Sequence, residues 1–541
     1  MRPHHKLPRS ASTPHDSTAG PSPATSLVGH SREMTVVRIP LRSAKHHFGV
    51  SLARGTRPYN EDAYQAGVIE IPAFAKRAPI SLTRSQRGTF DGSGTSADGA
   101  SGDPQVFYFG VFDGHGGSEC SAYLREQLHE YIECSAKKFD FQSTLKKKTT
   151  KSDPDRAAND SPKASSSSVL KDEAIAKPSG KSIASADGIS ASTDNSHQGL
   201  RPDAPVLYEA IGSKAVDLEK DLITRWKNTI GGYFRRFKPM FFSPSGGGRG
   251  YPPGYDVAHQ ARHSSSSRDL TDDVVGIETV ATHAFLQADF DFVTAQVEEE
   301  EDPVHAEKAL NEHEVLGEPH KPSAADRKKK FKGGSTCSVA MISTPTPTPF
   351  WHPASPSTLL TCHVGDTRIL LCSTATGAAI PLTTNHHPSS PGEGNRLRRY
   401  AATFVTDSFG EERMSGLANT RAFGDKQSKR LGVSAEAEIR RVELGPAEYS
   451  FLVLVSDGVS GTLNDQEIVD IVKEAKNPDE GAKDVVSFAT EVSREGDNAT
   501  CLVVRLGGWE RREEGGGGAM GTREVREWRR QEATDPRSRM T

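Results

Sequence analysis

The longest compact apolar run in the chain is only five residues, Phe451-Leu-Val-Leu-Val455, and it stops at Ser456-Asp457-Gly458. Crossing a bilayer as a helix takes about 18–20 apolar residues in a row, so the sequence holds no transmembrane segment. A short apolar run ending in Asp-Gly reads instead as a buried strand with a turn behind it. The texture recurs at Val106–Phe112, Cys337–Ile342, Leu359–Val364, Ile369–Cys372 and Cys501–Leu506. Three segments carry the helical period. Ser118–Lys138 places Cys120, Tyr123, Leu124, Leu128, Tyr131 and Ile132 on one face, and Val274–Val297 does so with Ile277, Val280, Ala284 and Phe285. Asn464 stands as the cap of a helix over DQEIVDIVKEA. The strands are rarely separated by a single crossover helix, which disfavours a doubly wound parallel sheet and predicts an antiparallel α+β sandwich.

Length alone would allow several domains among 541 residues, but only 34% are hydrophobic, and 49 glycines and 33 prolines are present. Such a chain supports one sizeable core and long stretches that cannot bury enough apolar surface to order themselves. A net charge of −4 exerts no general pull toward nucleic acid or an acidic membrane. The six cysteines (120, 134, 337, 362, 372 and 501) are scattered without a CxxC pair, so neither a disulfide scaffold nor a paired-cysteine zinc site is indicated.

Residues 1–60 carry nine Lys/Arg against two acids, Asp16 and Glu33. Residues 1–46 therefore read either as a mitochondrial transit peptide or as a basic disordered tail; Pro3, Pro8, Pro14, Pro21 and Pro23 interrupt the amphipathic helix that import needs. No secretory signal is visible. Residues 84–104, 140–203 and 243–271 read as disordered insertions, and 508–541 as a charged, Gly-rich, disordered tail. A single domain over 47–507, interrupted by the insertions, accommodates the rest.

Four acidic motifs lie where predicted strands stop or start: Arg57-Pro-Tyr-Asn-Glu61-Asp62, Asp113-Gly114-His115-Gly116-Gly117, Ser456-Asp457-Gly458 and Gly496-Asp497-Asn498. A lone Asp-Gly after a strand is usually a turn. Several aspartates converging at strand ends form an all-oxygen site, the ligand set that Mg²⁺ and Mn²⁺ prefer over zinc.

Taken together, the chain resembles the metal-dependent serine/threonine protein phosphatases of the 2C class. The matching pieces are RPYNEDAY (57–64), VFDGHGG (111–117), GGSTCSVAMI (333–342), HVGDTRILLC (363–372), LTTNHHP (382–388), LANTRAFGD (417–425), LVSDGVSG (454–461) and GDNATCLVVRL (496–506), in the family's order. The resemblance implies two antiparallel β-sheets in a sandwich flanked by helices, and hydrolysis of phosphoserine and phosphothreonine on proteins. It implies two Mg²⁺ or Mn²⁺ ions. Asp113 would bridge them, the Gly114 carbonyl would serve one, and Asp457 and Asp497 would hold the other. Glu61 and Asp62 would orient metal-bound waters, Arg57 would grip the phosphate, and His115 would be the general acid.

One position departs from the pattern. Many members place a further aspartate where this chain has Gly461, which leaves Asp366 as the remaining candidate for a weak third ion. The stretch between VFDGHGG and GGST is also far longer than in the family, and the excess is expected to be disordered loop. The basic run Arg327–Lys332 reads as a solvated loop. The basic N-terminus looks similar to that of mitochondrial fungal members, some of which act on matrix enzymes such as the pyruvate dehydrogenase complex; otherwise a cytoplasmic location is expected. Two competing readings are an inactive scaffold on the same fold and a two-metal hydrolase of small phosphoesters.

Overall fold

The computed structural model describes residues 47–77, 103–145, 206–243, 275–298, 333–398, 405–406, 412–413, 418–493, 496–513 and 520–535. Among these, strands run over Phe48–Ala53 (β1), Ala63–Ile69 (β2), Val106–His115 (β3), Gly334–Ser343 (β4), Ser357–Val364 (β5), Arg368–Ser373 (β6), Ala379–Pro381 (β7), Val405–Thr406 (β8), Glu412–Arg413 (β9), Phe423–Gly424 (β10), Glu438–Leu444 (β11), Tyr449–Val455 (β12) and Ala499–Arg505 (β13). Helices run over Glu119–Lys138 (α1), Val206–Thr229 (α2), Ile277–Glu298 (α3), Pro391–Arg398 (α4), Lys426–Lys429 (α5), Asp457–Ser460 (α6), Asp465–Glu474 (α7), Pro478–Val492 (α8) and Met520–Thr534 (α9).

The strands form two antiparallel sheets. One has the order β1-β13-β12-β6-β7 and the other β11-β5-β4-β3-β2, with β10 paired to β4; β8 and β9 make a separate small ladder. The unbroken apolar texture of the central strands follows from burial on both faces. In β12, Leu452 and Leu454 enter the layer between the sheets, where they meet Phe109 and Val111 of β3 and Leu502 and Val504 of β13. Phe451, Val453 and Val455 point the other way, onto α7 and α8. On the far sheet Val106, Tyr108 and Phe112 of β3 face α1 and α3. Each large apolar side chain removed from water contributes about 1.5–3 kcal/mol, and the sandwich flanked by helices is the arrangement that buries both faces of both sheets. Asn464 caps α7 as the sequence indicates. Its Oδ1 accepts from the Glu467 N–H (2.9 Å) and the Glu467 carboxylate accepts from the Asn464 N–H (3.0 Å), a reciprocal capping box.

The disorder expected of residues 508–541 does not hold where the chain is described. Residues 509–511 form a 3₁₀ turn and α9 packs on α7 and α8. Likewise α2 and the following 3₁₀ turn Gly232–Arg236 are ordered within the stretch expected to be excess loop. There Trp226, Phe234, Phe237, Phe242 and Phe290 build a local aromatic core. Residues 1–46, the basic run 327–332 and the expected insertions lie outside the described residues, apart from margins at 103–104, 140–145 and 243. Among the described residues no helix is long and apolar enough to cross a membrane. All six cysteines are free, five of them buried, as scattered spacing suggests.

Candidate active site

One end of the sandwich gathers strand ends from both sheets. β3 runs on through its acidic motif rather than stopping before it, so Asp113 and Gly114 are strand residues paired with Thr336 and Ser335 of β4. That continuation holds the Asp113 backbone in a hydrogen-bonded ladder, and the Ser335 hydroxyl also donates to the Asp113 carbonyl (2.9 Å). Asp457 is the first residue of α6, directly after β12. Its backbone N–H points to Asp113 Oδ2 at 3.3 Å. Asp366 sits in the turn between β5 and β6. One carboxylate oxygen from each of Asp113, Asp366 and Asp457 lies within 4.8 Å of the other two.

Among the described residues no lysine or arginine forms a salt bridge to these three; Arg57, whose charge is felt at Asp457, pairs with Asp497 instead. Burial first, and then the charges of Asp457, Asp62 and Asp366, push the Asp113 carboxyl well above the usual range. Burial and the Asp366 charge raise Asp457 to about 7. Asp62, beside them, is raised to about 6, chiefly by burial. Its Oδ2 accepts from the Thr500 hydroxyl (2.6 Å), while its Oδ1 is buried without a partner. Asp366 repeats the pattern, with Oδ2 taken by the Asn419 amide (2.8 Å) and Oδ1 buried and orphaned. Three crowded carboxylates, orphaned oxygens on Asp366 and on the adjacent Asp62, and only oxygen donors are the chemistry of a hard divalent cation, so these residues fit Mg²⁺ or Mn²⁺.

The structure does not bring all the expected ligands into that cluster. Asp497 stands outside it, and its Oδ2 accepts from Arg57 Nη2 at 2.7 Å. Asp497 is close enough for its charge to raise Asp457 and Asp62. Asp366, expected only as a weak ligand, is a full member. Gly461, whose N–H donates to the Asp457 carbonyl (2.6 Å), adds no carboxylate.

The loop bearing Arg57 is pinned by Asn498, a residue the motif reading quoted without a role. Its amide nitrogen donates to the Arg54 (2.9 Å) and Tyr59 (3.1 Å) carbonyls, and its Oδ1 accepts from the Glu61 N–H (2.8 Å). Arg57 remains 56% exposed. Glu61 turns toward the glycine-rich loop, where its carboxylate accepts from the Gly117 N–H (2.8 Å). Two glycines are dictated by close approach. A Cβ on Gly114 would meet the Glu61 carbonyl at 2.5 Å, and one on Gly458 would meet the Asn498 carbonyl at 1.9 Å.

His115 has a partner that sequence reasoning missed. Its Nε2 lies 3.0 Å from both carboxylate oxygens of Asp425, at the end of LANTRAFGD. Burial acts to lower the His115 pKa, but the charge and hydrogen bond of Asp425, with Asp366 and Glu61, outweigh it, so the net shift is upward. Nothing in the local pattern around Asp425 announces this pairing across 310 positions.

A second cluster, His363, His386 and Glu438, also gathers potential ligand atoms. Its donors and acceptors are engaged within the protein. His363 contacts the Ser338 hydroxyl (3.0 Å) and the Thr384 carbonyl (3.1 Å), and His386 Nδ1 accepts from the Gly365 N–H (3.0 Å). Burial lowers both imidazole pKa values. The pair serves to brace the turn that presents Asp366.

The chain has recognisable relatives. The profile of the family described as Protein phosphatase 2C matches residues 81–186 and 259–497, more than half of the chain. Protein phosphatase 2C homolog 4 of Schizosaccharomyces pombe is 27% identical over 477 residues, spanning 88% of this chain and 84% of that protein. Protein phosphatase 1K, mitochondrial, of Xenopus laevis is 38% identical over 152 residues, 28% of this chain and 40% of that protein. A solved serine-threonine phosphatase 2C from Toxoplasma gondii aligns with a TM-score of 0.40 at 14% identity, covering 85% of this chain and 94% of that one. The chain belongs to the protein phosphatase 2C family and is a protein serine/threonine phosphatase.

Proposed function

We propose that the protein hydrolyses phosphoserine and phosphothreonine on proteins at the acidic end of its sandwich, with two Mg²⁺ or Mn²⁺ ions held by Asp113, the Gly114 carbonyl, Asp366, Asp457 and Asp497. The observation that carries this is the crowding of one carboxylate oxygen each from Asp113, Asp366 and Asp457 within 4.8 Å of one another, which raises the Asp113 and Asp457 pKa values. When bound, such ions neutralise phosphate charge and make water a nucleophile near neutral pH.

The remaining work falls to side chains of the chain. Arg57, more than half exposed, is placed to present its planar fork to two phosphate oxygens, exchanging or sharing its contact with Asp497. Glu61 and Asp62 order the loop and the waters beside the acids. A serine or threonine alkoxide is a poor leaving group, so it needs a proton. His115, steadied at Nε2 by Asp425, keeps Nδ1 for that transfer. All the groups such catalysis needs are present, which favours an enzyme over an inactive scaffold.

The test is phosphate release from a phosphoserine peptide with Mn²⁺, with EDTA, and in Asp113→Ala. Metal-dependent release, abolished by EDTA and reduced by orders of magnitude in the variant, supports the reading. Turnover of p-nitrophenyl phosphate but of no phosphoprotein would instead favour a small-molecule phosphoesterase. A mitochondrial location, with matrix enzymes such as the pyruvate dehydrogenase complex as targets, is proposed from the basic residues 1–46 and from likeness to a relative named as mitochondrial. A fluorescent fusion of residues 1–60 that stays in the cytoplasm would remove that part.

A further inference from the structure

Helix α9 is held to the body by charge rather than by apolar contact. Thr522 Oγ1 donates to Asp470 (2.9 Å), and Arg526, Arg529 and Arg530 pair with Glu474, Glu467 and Glu491, each at 2.9 Å. The guanidinium groups of Arg529 and Arg530 also lie over the Phe488 ring. Two apolar side chains of the helix, Val525 and Trp528, are 51% and 61% exposed. A cavity of about 530 Å³ remains against the helix, lined by Lys473, Glu474, Glu513, Arg523 and Arg526 among others. Exposed ion pairs contribute little individually. The pair of Arg529 with Glu467 differs, because the Glu467 side chain is only 3% exposed.

At that point α9 reaches the supports of the candidate active site. Arg529 Nη1 donates to both Glu467 oxygens (2.9 and 3.0 Å) and Nη2 donates to the Thr462 carbonyl (2.7 Å). Glu467 closes the capping box on Asn464. Thr462 Oγ1 donates to the Gly458 carbonyl (3.2 Å), and the Gly461 N–H donates to the Asp457 carbonyl (2.6 Å). One planar fork thus holds Thr462, in the connection from Asp457 to α7, and Glu467, the capping partner inside α7.

We infer that Arg529 is a positioning residue for the Asp457 turn, so that docking of α9 holds the Asp457 carboxylate in place for a divalent cation. The inference rests on the reading of Asp457 as a cation ligand. Without Arg529, Glu467 is a buried carboxylate lacking the counter-ion seen here, and the connection would relax outward to hydrate it. A lysine offers a point charge instead of two fixed donors, so it would replace only part of the function.

The test uses the full chain, with Mn²⁺ binding followed by the electron paramagnetic resonance of free Mn²⁺ in the absence of substrate, and with hydrogen exchange over residues 457–464. Groups that support ligands from outside typically change metal affinity about 10–100-fold when mutated, and one a step further out should sit at or below the low end, about 5–10-fold. Arg529→Ala is expected to weaken Mn²⁺ binding by that factor and to speed exchange across 457–464. Arg529→Lys should recover part of the loss. Glu467→Gln added to Arg529→Ala, which keeps the capping hydrogen bond and removes the unpaired buried charge, should recover part of the loss as well. Arg530→Ala, which loses the outlying pair with Glu491 and the contact with the Phe488 ring but no bond to Glu467 or Thr462, should bind Mn²⁺ as the wild type does. Wild-type Mn²⁺ binding in Arg529→Ala, or an equal loss in Arg530→Ala, overturns the inference. Wild-type Mn²⁺ binding in Asp457→Ala overturns the reading of Asp457 beneath it, a separate outcome.

Discussion

The carboxylate of Asp425 lies 3.0 Å from Nε2 of His115, on a residue whose backbone is held at φ 47°. A non-glycine residue in the left-handed region costs roughly 1 kcal/mol or more. The neighbourhood enforces it: Asp289 of α3 accepts from the Gly424 N–H (2.9 Å) and pairs with Lys429 (2.5 Å), and Lys429 also donates to the Ala422 carbonyl (2.7 Å). The turn preceding α5 is therefore clamped from behind by a fully buried ion pair, and its front edge carries the carboxylate that orients His115.

If Asp425 serves to orient His115, its replacement should matter most where the leaving group needs a proton. Asp425→Asn is expected to lower phosphoserine-peptide turnover by about 10–100-fold, within the range of acid catalysis. Turnover of p-nitrophenyl phosphate, whose phenolate leaves unaided, should change far less. Equal losses on both substrates would count against an orienting role.

Breaking the buried pair behind that turn should destabilise the fold. Lys429→Met leaves Asp289 charged and unpaired, with an expected loss of about 3–5 kcal/mol in urea unfolding. The double change Asp289→Asn with Lys429→Met removes both charges and should recover much of it. The two side chains are fully buried, so solvent screening does not soften the effect.

Arg57 should act on substrate rather than on stability, since its side chain is the most exposed of the proposed site residues. Arg57→Ala is expected to raise KM for a phosphopeptide about tenfold or more while leaving the thermal midpoint unchanged. Arg57→Lys should restore little, because a point charge cannot make the paired contacts of a planar fork. A KM in Arg57→Ala equal to that of the wild type would remove it from phosphate binding.

His283 supplies a pH dependence of stability. It is 2% exposed between α1 and α3, in contact with the Ser135 hydroxyl (2.9 Å), and its pKa falls from 6.5 to about 3, through burial first and then the charges of Lys138 and Arg225. In the unfolded chain it takes up a proton as pH drops through 6.5, whereas in the fold it stays neutral down to about 3. Its share of stability is thus complete above 6.5 and is lost progressively between 6.5 and 3, by up to about 5 kcal/mol. His283→Gln should flatten that limb in urea titrations at several pH values; an identical slope in variant and wild type would contradict the assignment.

What the sequence revealed follows from what kind of signal each feature leaves. The central strands were legible because burial on both faces makes Val106–Phe112 and Phe451–Val455 continuously apolar, and Asn464 because a cap is a local event. Helix α9 was misread as disordered because it contacts the body through Arg526, Arg529 and Arg530 and exposes its apolar residues, so no buried hydrophobic stripe marks it. The aromatic core around Trp226 sits on a helix end and a 3₁₀ turn, where residue spacing carries no fixed period. At the site, residue type and strand context pointed to Asp113 and Asp457. The partnership of Asp425 with His115 and of Asn419 with Asp366 exists only once distant segments meet, as does the contact of Asp497 with Arg57 in place of the acidic cluster.

The central claim is that Asp113, Asp366 and Asp457 share a divalent cation on which phosphoprotein hydrolysis depends. Its most direct test is calorimetric titration of the full-length wild type and of Asp457→Asn with Mn²⁺, paired with phosphopeptide turnover in the same samples. The account predicts that the tightest Mn²⁺ site and the turnover are lost together in Asp457→Asn. Retention of that site with undiminished turnover would contradict it.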